Sequence, residues 1–255
     1  MNILVCMKQT FDTEAKIALN AAGKIDGTGV NLVINAYDEF AIEEGLRLKE
    51  KFGGEVILLS LGGQSVETSL RTGLAMGADR AVLVSDPALA EADEWAAAEA
   101  LAKAAATIPY DIILAGRIAV DDGSAQVSVR LAEALQIPSV SSILKLDIEG
   151  AAATAVREID GGTETIEVGL PAVFTAQKGL NEARYPSMAG IMKAKKKEIK
   201  TVSLADLGIG DLAPKAAVTK FSLPSPRAGG KVIPGEPADA AKELARLLRE
   251  EAKAI

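Results

Sequence analysis

The sequence predicts an α/β fold: a doubly wound, mostly parallel sheet with helices on both faces, extended by a β-ribbon and a C-terminal arm that ends in a helix. Three observations lead there. Through the first 145 positions, short continuous apolar runs alternate with longer amphipathic stretches; such runs are strands buried beneath helices, joined by right-handed crossovers. Beyond residue 145 the alternation stops, and two β-prone stretches flank Asp160-Gly161-Gly162, a hairpin-turn signal. Residues 205–238 then carry Pro214, Pro224, Pro226, Pro234 and Pro237, the composition of an extended arm.

In chain order, residues 2–7 read as a buried strand, and the glycines at 23, 27 and 29 suggest a small hairpin before a second strand at 31–34. From Asp38, Phe40, Ile42, Leu46 and Leu48 alternate with charged residues as an amphipathic helix that ends near Gly53-Gly54. Val56–Leu61 is a strand broken by Gly62-Gly63, and Gln64–Met76 a helix. Ala81–Val84 and Asp111–Ala115 are strands. The alanine-rich Glu91–Ala106 and Gln126–Leu135 are helices, stopped by Pro109 and Pro138. Val156–Leu170 supplies the two ribbon strands, 176–200 is irregular, and Ala238–Ala254 is a helix with Ala241, Leu244, Leu247, Leu248 and Ile255 on one stripe. The expected division is a core over 1–205, with the ribbon at 146–175 and the irregular loop at 176–200, and an arm and helix over 206–255.

Composition narrows the chemistry. The 255 residues contain no histidine and a single cysteine, Cys6. Histidine-based acid–base catalysis, Cys/His zinc sites, cysteine-ligated clusters and internal disulfides are excluded. Carboxylates, lysines, hydroxyls or a bound organic cofactor remain. The formal net charge of −7 disfavours nonspecific nucleic-acid binding, which needs a basic face. No run reaches the ~18 apolar residues of a membrane span. The first residues read as a strand and lack the charged-then-apolar order of a secretion signal, so a cytoplasmic location is expected. Cys6 reads as a packed thiol and Trp95 as a core residue.

Ligands of open parallel sheets bind outside the carboxyl ends of the strands. Three such ends are small or polar: Asn35-Ala36-Tyr37-Asp38, Leu61-Gly62-Gly63-Gln64-Ser65, and Gly116-Arg117-Ile118-Ala119-Val120-Asp121-Asp122-Gly123-Ser124-Ala125-Gln126. The third leads into a helix whose free N–H groups and dipole suit a phosphate. Spacing alone leaves an ordinary capped connection open beside a nucleotide site. Asp121-Asp122 could be a hard-metal pair, or a helix cap beside a solvated neighbour. The phosphate-loop signature G-x-x-x-x-G-K-[ST] is absent, and the Gly208–Ala213 match to a dinucleotide fingerprint has no strand leading into it. The lysines at 193, 195, 196, 197 and 200 read as a solvated face or a patch for acidic partners.

The second half carries long, specific motifs. Residues 155–166 (Ala-Val-Arg-Glu-Ile-Asp-Gly-Gly-Thr-Glu-Thr-Ile), Leu170–Thr175, Leu180–Met188 and Ile191–Lys197 resemble the electron transfer flavoprotein β subunit, as do Ala41–Lys49 and Leu70–Arg80. The resemblance implies a heterodimer with a larger α subunit that holds most of an FAD, and a β subunit that also buries a structural AMP. It implies an AMP pocket at Cys6, Asn35, Ala36, Tyr37, Asp38, Leu61 and the run from Gly116 to Val127, with Tyr37 and Thr13 near the flavin. It makes 180–193 the recognition loop for partner flavin dehydrogenases, with Leu180, Asn181, Glu182, Arg184, Tyr185, Pro186, Ser187, Met188, Ile191 and Lys193 at the docking surface. There Met188 stands where a Leu is frequent and Ala183 where a Pro is. Glu158 matches a residue implicated in reorientation for electron transfer.

Within that family, Arg117 and the Ala125-Gln126-Val127 ending resemble electron-bifurcating members, which hold a second FAD in place of AMP. Asp122-Gly123-Ser124 does not match them. Two other readings are weighed against the carrier. A regulatory nucleotide-binding module similar to the universal stress proteins would fit the core but has no use for the 155–197 motifs. An ATP-pyrophosphatase would need the Ser and Asp that Leu61–Ser65 lacks.

Overall fold

The structure, a computed structural model, describes residues 1–226 and 229–255; arm residues 227 and 228 lie outside the described residues. It forms two units, one of residues 1–17 and 26–219 and one of 18–25 and 220–255.

The first unit is built on a nine-stranded sheet. Its strands, in chain order, are β1 (Asn2–Cys6), β4 (Glu55–Leu61), β5 (Arg80–Val84), β6 (Ile112–Gly116), β7 (Ser139–Glu149), β8 (Ala152–Ile159), β9 (Gly162–Gly169), β10 (Val173–Ala176) and β11 (Ile199–Val202); β2 (Gln9–Phe11) and β3 (Leu32–Ile34) form a separate antiparallel pair. The order across the large sheet is β11-β5-β4-β1-β6-β10-β7-β8-β9. The seven strands from β11 to β7 are parallel, and β7, β8 and β9 pair antiparallel as the ribbon. From β1 the chain winds outward through β4 and β5, then returns to place β6 on the other side of β1. The boundary between β1 and β6 is therefore the topological switch point, where such sheets open a ligand crevice.

Two apolar layers cover the sheet. Helices α1 (Ala36–Phe52), α2 (Val66–Met76) and α5 (Met188–Ala194) share one core cluster with Ile3, Val5 and Leu58. Helices α3 (Glu94–Ala105) and α4 (Val127–Leu135) share the other with Leu4, Cys6 and Leu59. Successive residues of β1 thus serve opposite faces, as the strand's period of two requires. Ile3, Leu4, Ile57 and Leu58 are fully buried, and each such side chain contributes about 1.5–3 kcal/mol.

The doubly wound core, the ribbon and the final helix match the sequence reading, with several additions. The 31–34 strand pairs with β2 in the small sheet, not with the main one. Strands β2, β7, β10 and β11 and helix α5 were not predicted, and β10 inserts between β6 and β7 to join ribbon and core. Trp95 is half-buried and lies beneath the Lys215 ammonium, 4.0 Å from the ring centroid, so it is not a core residue. The start of the arm is fastened: Leu207, Ile209 and Leu212 pack on the core, and the Lys215 and Ala216 N–H groups donate to Asp93.

In the second unit, a bridge between Leu19 and Ile25 closes a small hairpin. Helix α6 (Pro237–Glu250) carries Arg246 paired with Glu243 and Glu250. On its apolar stripe Leu247 is buried, whereas Leu244 and Ile255 are exposed. Among the described residues no helix is long and apolar enough to cross a membrane.

Candidate functional site

The switch point is strapped by a buried carboxylate. Asp38, in the first turn of α1, accepts the Lys8 N–H at 2.7 Å with one oxygen and the Gly116 N–H at 2.8 Å with the other. It thereby joins the carboxyl ends of β1 and β6. Burial pushes its carboxyl up to about 7, although the N–H donors and Asn35 pull the other way. Gly116 is required for this approach: a Cβ there would lie 2.2 Å from the Asp38 oxygen.

Asn35, also buried, clips the loop that follows. Its amide donates to the Ile118 carbonyl at 2.9 Å, and its oxygen accepts the Val120 N–H at 3.1 Å. Beyond that clip the chain turns through Asp121-Asp122. Lys8 Nζ lies 2.8 Å from Asp121 and 2.7 Å from Asp122. Asp122 also accepts the Ser124 N–H, which helps hold its carboxyl below the usual range against the effect of burial. Ala125 sits in the left-handed region at φ 54°, a strained conformation for a residue with a Cβ. Gln126 then starts α4 without a side-chain cap, because its amide oxygen accepts from Arg130 instead. The first N–H groups of α4 thus lack a side-chain partner, the condition for holding an anion.

The structure therefore gathers Asn35, Asp38 and the 116–127 loop. Cys6 is buried beside Asp38, and burial pushes its thiol up to about 12. Leu61 joins the same core layer as Cys6. Tyr37 is half-buried, edge-on to Phe40 at 6.4 Å, while Ala36 and Thr13 are exposed, Thr13 in the turn after β2. The reading of Asp121-Asp122 as one cap and one solvated residue is corrected: both are paired with Lys8. Among the described residues no cluster of metal-ligating side chains forms. Lys8 was missed, and its signal was a lone basic residue directly after the first strand.

A second constellation holds the 180–193 segment. Arg184 pairs with Glu43 and Glu50 on α1, and Asn181 donates to the Phe40 carbonyl and to Glu44. Ser187 caps α5 by accepting the Gly190 N–H. The two helix ends brace each other: Arg71 donates to the carbonyls of Ala194 and Lys197, and Lys197 donates to those of Leu74 and Ala78. Lys197 is therefore a structural cap, unlike the exposed Lys193, Lys195, Lys196 and Lys200. What the segment presents outward is apolar, with Tyr185 93%, Met188 79% and Met192 63% exposed and Ile191 beside them. Glu182 is exposed, and Leu180 and Pro186 are half-buried. Glu158 lines a polar cleft of about 420 Å³ with Arg117, Ser142 and Gln177.

The chain is similar to known proteins along its whole length. A family model described as "Electron transfer flavoprotein domain" matches residues 22–207. The chain is 48% identical to the electron transfer flavoprotein subunit beta of Bacillus subtilis, over the whole of both chains. It is 38% identical to the subunit of that name in Sus scrofa, over 98% of this chain and 97% of the relative. Against the "Caffeyl-CoA reductase-Etf complex subunit CarD" of Acetobacterium woodii it is 37% identical over 92% of both chains. With matches running the length of the chain, this protein belongs to the electron transfer flavoprotein β-subunit family.

Proposed function

We propose that this chain pairs with a larger α subunit as an electron carrier. The heterodimer accepts electrons from flavin dehydrogenases, of the acyl-CoA dehydrogenase type, and passes them to the respiratory chain or another acceptor. It works in the cytoplasm and makes no bonds of its own. FAD, held mostly by the α subunit, supplies the redox chemistry when bound. The residues of this chain build one wall of that site near Tyr37 and Thr13, hold a structural AMP, and present the 180–193 loop to donors. The apolar stripe of α6 docks on the α subunit.

The observation that carries the reading is the loop at the switch point, fixed by Asn35 and Asp38 and opening onto the uncapped start of α4. Two features support a nucleotide there: the helix N–H groups suit a phosphate, and Lys8 pairs with both nearby aspartates. Cys6 stays out of the chemistry, because a thiol held so high carries almost no thiolate.

A second reading, an electron-bifurcating carrier with a second FAD in place of AMP, is favoured by Arg117 and Ala125-Gln126-Val127 and by the polar cleft beside Arg117. Co-expression with an α subunit tests the carrier itself. The pair should co-elute with bound flavin, and that flavin should bleach when reduced dehydrogenase is added. Separate, colourless elution would overturn the reading.

A further inference from the structure

Two adjacent carboxylates are an odd feature for a loop that is to receive a phosphate. Unpaired, Asp121 and Asp122 would repel each other and any incoming anion. Yet the turn needs them. Asp121 accepts the Asp122 N–H at 2.8 Å, and Asp122 accepts the Ser124 N–H at 2.9 Å. The acceptors that shape the loop are thus the charges that would spoil it.

Lys8 eases the conflict by offsetting one of the two charges, and its own position is fixed from three sides. Its N–H donates to Asp38, its carbonyl accepts the Asn35 N–H at 2.9 Å, and its ammonium reaches both aspartates. One residue at the end of β1 therefore ties the start of α1 to the 116–127 loop. The side chains of this ionic triad are 39–41% exposed, and ion pairs so exposed add little to fold stability. What the triad changes is the field at the loop.

We propose that Lys8 is a positioning residue of the nucleotide site: by gathering Asp121 and Asp122 it offsets one of their two negative charges, so the loop meets a phosphate with its backbone N–H groups and half the negative charge that the bare pair would carry. The inference rests on the nucleotide reading above and assigns to Lys8 a role in affinity, with no contact to the ligand required.

The test uses the co-purified heterodimer, depleted of nucleotide and titrated calorimetrically with AMP at low and high salt. Lys8→Met should weaken AMP binding about tenfold at low salt, and the gap should narrow as salt screens the aspartates. Lys8→Arg should bind like the parent. The triple variant K8M/D121N/D122N should recover most of the affinity, because the Asn oxygens still accept the turn's N–H groups while the charges are gone. A merely structural role would not produce that rescue. Parent-like binding by Lys8→Met, or no recovery in the triple variant, would overturn the proposal. A flat titration of the parent with both AMP and FAD would overturn the nucleotide reading itself, and Lys8's role with it.

Discussion

Arg184 grips Glu43 through its guanidinium, Nε to Oε2 at 2.7 Å and Nη2 to Oε1 at 3.0 Å, while its backbone N–H also reaches Oε2. Glu43 is buried in the middle of α1, so the 180–193 segment is pinned to the same helix whose first turn straps the switch point. Burial alone would raise the Glu43 carboxyl, but the hydrogen bonds from Arg184 and Arg47 hold it below the usual range. A depressed carboxyl adds stability above its unfolded value and loses it as pH falls through the folded one. Arg184→Ala should cost about 2 kcal/mol near neutrality, discounted for the half-exposed arginine. Denaturant titrations at several pH values should show a shallower acid-side loss in the variant than in the parent.

Asp38 behaves in the opposite sense. Its carboxyl is raised from 3.8 to about 7, burial being the main cause. Across that window the folded state keeps a proton that the unfolded state releases. The contribution of Asp38 therefore declines as pH rises from about 4 to about 7 and then levels off. Asp38→Asn removes the dependence and leaves one of two N–H donors without an acceptor, at a cost of about 1–3 kcal/mol. The stability difference between parent and variant, followed by chemical denaturation, should shrink as pH rises through the window. A constant difference would contradict the assignment.

Gly116→Ala places a methyl group 2.2 Å from the Asp38 oxygen and 2.8 Å from the Tyr37 backbone. Neither neighbour is the free end of a flexible chain, so the carboxylate must leave its two donors. We expect a loss of about 1–3 kcal/mol, as for other overpacked sites. Thermal melting reads that loss, and the purified heterodimer should retain less AMP than the parent.

Met188→Asp tests the docking face. Met188 is 79% exposed at the start of α5, so a charge there leaves the fold intact while spoiling an apolar contact. The apparent KM for the native donor dehydrogenase should rise about tenfold or more, an amount set by one buried anchor, while the FAD content stays unchanged. Unaltered electron-transfer kinetics would remove Met188 from the interface.

The sequence carried the parallel core because each strand there is a continuous apolar run, as in Val56–Leu61. It hid β10, whose four residues follow Leu170-Pro171 and owe their place to long-range pairing with β6 and β7. Strand β7 was hidden for a similar reason: it pairs parallel with β10 at its start and antiparallel with β8 from Ile143 onward, and its buried residues Val140, Ile143, Leu146 and Ile148 pass from a spacing of three to a spacing of two. Helix α5 is only seven residues long and depends on Ser187, Arg71 and Lys197 more than on any periodicity of its own. At the site, Asn35, Asp38 and the 116–127 loop were legible as polar strand ends. Lys8 was not, because its significance lies in meeting Asp121 and Asp122 more than a hundred residues later. Nor could the sequence separate, within 180–193, the anchors Asn181 and Arg184 from the exposed Tyr185 and Met188.

This chain is proposed above to complete an FAD site and to hold one AMP in the loop at the switch point. The most direct measurement is a nucleotide count: the heterodimer is purified, denatured, and its released FAD and AMP are quantified by chromatography. One FAD and one AMP per heterodimer are expected. Two FAD and no AMP would contradict that proposal and assign the Gly116–Val127 loop to a second flavin.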